Sequence, residues 1–163
     1  MARKPLTNEE VLALLAEAPA RIAALAEGLD AQQLRAVPGG GGWSANDVLA
    51  HLRACADVWG KCIVEIITRD EPTIKAVNPR MWILGTDYPR QDFFASFDAF
   101  ARQRAELLPV LQPLSLAGWQ RKATVVGAGA PLVRTVDSYA AWMAEHERPH
   151  VKQIRRITEE LHG

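Results

Sequence analysis

Four stretches of the chain repeat apolar residues every three or four positions, and that spacing predicts four helices. Thr7-Asn8-Glu9-Glu10 has the spacing of a capping box, and Val11, Leu14, Leu15, Ala18, Ile22, Leu25 and Leu29 follow at helical intervals. A first helix is expected from about residue 8 to 28, bent at Pro19, whose ring removes an amide from the helix interior. The glycines of PGGGGW then break the pattern and permit a sharp change of direction. Ser44-Ala45-Asn46-Asp47 opens a second helix with the buried stripe Val48, Leu52, Cys55, Trp59, Cys62 and Ile66, an alternation of three and four typical of a bundle seam.

Residues 70–90 carry Pro72, Pro79, Gly85 and Pro89 among Met81, Trp82, Ile83 and Tyr88. These apolar residues need somewhere to pack, so the segment reads as an ordered connection. A third helix, from about Gln91 to Leu111, buries Phe93, Phe97, Phe100, Leu107 and Leu111, with Pro109 weakening its last turn. ATVVGAGAPLVRT, β-branched around Gly-Ala-Gly, predicts a small hairpin or an extended loop. The fourth helix runs from near Thr135 towards Leu161, with Tyr139, Trp142, Met143, Ile154, Ile157 and Leu161 on its apolar side. Four long helices and a long second crossover predict an all-α four-helix bundle, a fold that builds metal sites from side chains on facing helices.

Length changes this picture little: 163 residues suit one domain, residues 1–163. Charge narrows it. The 19 basic and 19 acidic side chains cancel, which leaves no footprint for nucleic acid or an anionic membrane surface. The N-terminus lacks an apolar signal region and no stretch reaches the length of a membrane span, so a soluble cytoplasmic protein is expected. Cys55 and Cys62 lie seven positions apart on one helix, roughly 10 Å along its axis. That is too far for a disulfide, and both are read as reduced thiols.

The histidines carry the candidate chemistry. His146 and His150 occupy i and i+4 on the inward seam of the fourth helix, and His51 stands between Val48 and Cys55 on the buried side of the second. A single inward histidine reads as a core residue satisfied by one hydrogen bond. Three on two seams each incur a desolvation cost that an aliphatic residue avoids, and a shared divalent metal removes the conflict. Zinc suits three imidazoles best, while nickel, copper and iron also accept them. His146-Glu147-Arg148-Pro149-His150 also fits the HExxH pattern of zinc proteases. That reading is set aside: Arg156 occupies the metzincin ligand position, no third ligand follows before the terminal His162, and Glu147, rotated about 100° from His146, reads as a solvated side chain.

Trp43-Ser44 opening a helix with His51-Leu52 downstream, as WSANDVLAHL, and the closing HERPHVKQI resemble the DinB/YfiT-like family of metalloenzymes. Arg104 in an aromatic-rich third helix, then Trp119 and a short extended stretch, match the same family, and the resemblance covers nearly the whole chain. It implies an up-down-down-up four-helix bundle with three metal ligands, carried over to His51, His146 and His150. It further implies a transferase or isomerase using a low-molecular-weight thiol such as bacillithiol, mycothiol or glutathione. Relatives of this fold commonly pair through helix faces, so a homodimer is expected.

With a thiol cofactor, the metal holds thiolate beside an electrophilic small-molecule substrate, and no protein nucleophile is required. With water in the open position the same site serves a hydrolase, and a sealed site would suit a non-enzymatic binding bundle. Around the histidines, Asp47 is one turn from His51 and either orients it or only caps its helix. Gln153, near His150, either orients that ring or lies on the surface. Arg104 either binds an anionic group of substrate or cofactor or snorkels. Cys55 is either a fourth ligand or a small core hydrophobe.

Overall fold

The Glu10 amide donates to Thr7 Oγ1 (3.1 Å) and the Thr7 amide to the Glu10 carboxylate (2.7 Å), so the expected capping box starts α1 (Asn8–Ala26). This computed structural model describes residues 2–163. The same reciprocal device, Ser44 with Asp47, opens α3 (Ala45–Thr68), and Thr135 with Ser138 opens α7 (Val136–His162). Asp92 caps α5 (Phe93–Leu111). These four helices match the periodic stretches to within two residues at each end. Pro19, Pro109 and Pro149 are accommodated inside α1, α5 and α7.

Shorter elements fill the connections. A single turn, α2 (Ala31–Arg35), forms on an Asp30–Gln33 capping box and buries Leu34. The segment after α3 contains β1 (Thr73–Lys75), α4 (Pro79–Trp82) and two 3-10 turns. After α5 come α6 (Leu116–Trp119), β2 (Lys122–Val126) and β3 (Leu132–Thr135). The predicted hairpin is present as β2 and β3, antiparallel with Thr124 opposite Val133. β1 adds in parallel, Ile74 beside Val125. The expectation of an all-α chain is thereby corrected to a mostly helical one with a three-stranded sheet. β1 is three residues long, too short to display an alternation that sequence could reveal.

Each of α1 and α3 packs against both α5 and α7, which puts α1 and α3 on one diagonal of the bundle and α5 and α7 on the other. Every long helix therefore buries two stripes. The apolar core is divided in two along the bundle. One part gathers Val11, Leu15, Trp59, Ile63, Leu111 and Met143 near the sheet; the other gathers Ile22, Leu34, Leu49, Leu52, Phe100 and Ile154. Each fully buried aliphatic or aromatic side chain contributes about 2 kcal/mol relative to exposure. Between the two parts lies a polar layer, His51 from α3, Arg104 from α5, and His146, Glu147 and His150 from α7. Trp142, on the apolar side of α7, is 41% exposed and lies against Trp59 at the edge of a cavity. Among the described residues no helix is long and apolar enough to cross a membrane.

Candidate functional site

Helical spacing and facing helices bring the three expected histidines together. His146 and His150, one turn apart on α7, have ring centroids 4.6 Å apart, and His51 on α3 lies 5.1 Å from the first and 4.9 Å from the second. His51 is buried and the other two are half-buried. His51 Nε2 and His146 Nε2 face each other at 3.3 Å. Trp43, just before the cap of α3, stacks nearly parallel to His150 at 6.5 Å and tilts against His51 at 5.3 Å. Trp59, two turns beyond His51, meets His146 edge-on at 5.0 Å.

These rings are neutral at physiological pH. Burial, then the neighbouring imidazoles and Arg80, push His51 down to about 4, and burial, then His150 and Arg80, push His146 down to about 4. Burial also lowers His150, against the opposing pull of a hydrogen bond to Gln153. In that bond His150 Nδ1 donates to Gln153 Oε1 at 3.1 Å, which fixes the tautomer and leaves Nε2 with its lone pair. Gln153 thus takes the orienting place, whereas the Asp47 carboxylate is engaged by the Ser44 amide and hydroxyl at 3.0 and 2.9 Å and serves the cap.

The donor set fits a divalent metal. Two nitrogens bound to one tetrahedral zinc lie about 3.3 Å apart, and a nitrogen and a thiolate sulfur about 3.6 Å. The His51–His146 separation matches the first, and Cys55 Sγ lies 3.6 Å from His51 Nε2. His51, Cys55 and His146 offer ligand atoms all within 4.8 Å of one another. His146 Nδ1 is buried without a hydrogen-bond partner, so the protein leaves that ring's valences incompletely used. Burial, then Glu147, pushes the Cys55 thiol up to about 12, so without a metal it stays protonated. Both cysteines are free.

Glu147 is the largest departure from the sequence reading. It is 4% exposed, not solvated, and pairs through both carboxylate oxygens with Arg104, itself 1% exposed. Arg104 also donates to the Leu15 carbonyl at 2.7 Å and lies over Phe100. Burial raises the Glu147 carboxyl while Arg104 pulls it back down. Arg104 is consequently sealed inside the bundle and presents no ligand-binding surface, which corrects both the anion-binding and the snorkelling readings. Its partner was missed because a 100° rotation from His146 on α7 leaves one buried stripe and enters the other, between Ala144 and Val151. The small neighbours Ala140 and Ala144 were the available signal.

A cavity of about 460 Å³ opens beside the cluster, within the range of small-molecule sites. His51, Cys55 and His146 line its inner end, Trp59, Tyr139 and Trp142 a wall, and the connection carrying α4 together with the hairpin closes the remainder. No carboxylate lines it; its charged residues are Arg80 and Arg134. Neither arginine was singled out from sequence, because both depend on how the nonperiodic segments fold back. His150 stands outside the lining, stacked against Trp43.

The sequence profile of the DinB superfamily matches residues 14–154, a span containing every polar residue of the middle layer. Among solved structures the chain is similar to YfiT from Bacillus subtilis, described as a probable metal-dependent hydrolase with an unusual four-helix bundle topology. The match has a TM-score of 0.78 at 18% identity and covers 99% of this chain and 93% of that one, a likeness of fold. Comparison with curated proteins finds no significant match.

Proposed function

Because the chain belongs to the DinB superfamily, we propose that it is a metal-dependent transferase in which His51, His146 and His150 hold one divalent ion and a low-molecular-weight thiol supplies the nucleophile. The observation that carries this reading is a pair of neutral imidazole Nε2 atoms 3.3 Å apart at the end of a cavity that no carboxylate lines. When bound, the ion supplies Lewis acidity, lowering the pKa of a thiol or water on its open side. The chain's own residues do the rest. Gln153 holds the His150 tautomer, Trp43 packs against His51 and His150, and Trp59 and Trp142 shape the space beside the cluster. Cys55 remains a protonated bystander, since burial opposes its ionisation. Delivery of a thiolate needs no general base, and with Glu147 closed on Arg104 no protein carboxylate is placed to act as one. We also read the bundle as up-down-down-up, which the long connection between α3 and α5 supports.

Hydrolysis is the second reading, favoured by the likeness of fold to YfiT, a probable metal-dependent hydrolase. One experiment separates the two. Cobalt-substituted protein is titrated with glutathione, bacillithiol and mycothiol while sulfur-to-metal charge-transfer absorption is followed. The expected result is a new band with one of the thiols, absent from His51→Ala and retained by Cys55→Ser. Absence of a band with all three would end the transferase reading and leave hydrolysis.

A further inference from the structure

The cavity has a second chemical character that the metal does not use. Its wall is aromatic and apolar, Trp59, Tyr139, Trp142, Val58, Val125 and Leu132, yet two guanidinium groups border it, Arg80 from α4 and Arg134 from β3. Six arginines have guanidinium partners: Arg21, Arg69 and Arg104 pair with carboxylates, Arg53 donates to the Gln91 side chain, and Arg35 and Arg121 donate to backbone carbonyls. Among the described residues neither Arg80 nor Arg134 has an ion pair or a side-chain hydrogen bond within the protein. Each is instead held by an aromatic face. Arg80 lies over Trp43 at 5.5 Å from the ring centroid and Arg134 over Trp142 at 5.1 Å.

That placement matters because a guanidinium held against a ring by its charge keeps its N–H donors at its edge, where they are free for an anion. Arg80 is also close enough to lower the proton affinity of His51, His146 and His150, so its charge acts on the metal-binding end as well as on the mouth. A cavity bordered by two unpaired cations and no anion disfavours cationic ligands and gains little from neutral polar ones.

We propose that this cavity binds a small amphipathic carboxylate, its aromatic or branched body against Trp59, Tyr139 and Trp142 and its carboxylate held by Arg80 and Arg134. Arg80 and Arg134 are then the residues that determine specificity. The inference rests on the proposed function in taking this cavity as the substrate site, and it does not depend on the metal.

The test uses chelator-stripped full-length protein and three probes of one shape: 2-naphthylacetate, 2-naphthylacetamide and 2-naphthylethylammonium. Binding is followed by isothermal titration and by quenching of tryptophan fluorescence. The carboxylate should bind about tenfold or more tighter than the amide, as expected for charge-assisted hydrogen bonds, and the ammonium weakest. Arg80→Gln and Arg134→Gln should each reduce the preference, and the double variant should erase it while changing amide affinity less than about twofold. Arg80→Lys should restore part of it, which a purely steric role would not do. Equal binding of acid and amide, a preference that survives in the double variant, or binding of none of the probes at millimolar concentration would overturn the proposal. Failure of the protein to bind cobalt would sink the proposed metal chemistry and leave these outcomes interpretable by themselves.

Discussion

His146 and Glu147 are adjacent on α7 and stand in the same polar layer, but their surroundings differ in kind. Glu147 is closed: Arg104 meets both its oxygens, and the Leu15 carbonyl takes a further donor of that guanidinium. His146 is open: one nitrogen faces another imidazole, the other has no partner, and its ring borders a cavity. In the closed pair both carboxylate oxygens are met, and although Arg104 Nε is left without a partner, Arg104 is only 1% exposed and offers nothing to a ligand. An unsaturated cluster beside a cavity has donor capacity that the fold itself does not use. Polarity in a helix seam therefore does not identify a site, nor does one unpartnered atom, since Arg104 Nε lacks a partner too; unused valence within a cluster of metal-ligating groups beside a cavity does.

Among the substitutions, breaking the closed pair should produce the largest loss of stability. Glu147→Ala leaves the Arg104 charge buried and unpaired, and a loss of about 3–5 kcal/mol in unfolding free energy is expected by urea denaturation. Replacing both partners together, Arg104→Met with Glu147→Leu, removes the charge and its counter-charge at once. That double variant should match the wild type or exceed it by about 1–4 kcal/mol. A single variant as stable as the wild type would show that the pair is not sealed from water.

The open cluster should respond in the opposite way. His146→Ala removes no group on which the fold depends, so thermal stability of the metal-free protein should change far less than in Glu147→Ala. Bound metal, by elemental analysis of protein purified without an affinity tag, should fall from about one ion per chain to none, because two imidazoles rarely hold an open site alone. Retention of a full equivalent in the triple His51, His146 and His150 alanine variant would place the metal elsewhere.

How far the sequence displayed all this depended on range. The four long helices were legible because capping boxes and apolar spacing are local, and the histidine cluster because helical spacing fixes which residues of α3 and α7 share a seam. The Arg104–Glu147 pair joins positions 43 apart on different helices and lies on a second stripe, so a helix read with one buried face turned it outward. Arg80 and Arg134 reach the cavity through α4 and β3, short elements set by tertiary contacts rather than periodicity. Trp142 was legible only as far as the apolar side of α7, since spacing does not tell a filled core from the cavity wall that it forms.

Acid should separate the two regions next. The unfolded chain protonates these histidines near the ordinary 6.5, whereas His51 and His146 take up protons in the folded protein only at about 4. Between those values the unfolded state binds more protons, so the metal-free protein keeps its full stability above pH 6.5 and loses it as pH falls towards 4. The slope is at most about 1.4 kcal/mol per pH unit for each histidine. Urea unfolding at pH 7.5, 5.5 and 4.5 should show this decline in the wild type and a shallower one in His51→Ala. Parallel curves would mean that the rings are solvated enough to titrate normally.

The smallest effect tests the one support that the open cluster does possess. Gln153 touches no proposed open coordination position; it accepts the Nδ1 proton of His150 and thereby keeps the Nε2 lone pair available. Gln153→Ala frees that ring to choose either tautomer and to rotate, so metal affinity should fall roughly tenfold, the lower end of what outer partners of a ligating histidine contribute. Gln153→Glu keeps an acceptor in place and should recover most of the loss, while adding a charge that raises the basicity of His150. Competition against a chromophoric zinc chelator reads both changes directly. Equal affinity in the wild type and Gln153→Ala would mean that His150 does not bind the ion through Nε2, reducing the site to His51 and His146 and turning attention to Cys55, whose sulfur already stands at a ligand-like distance from His51.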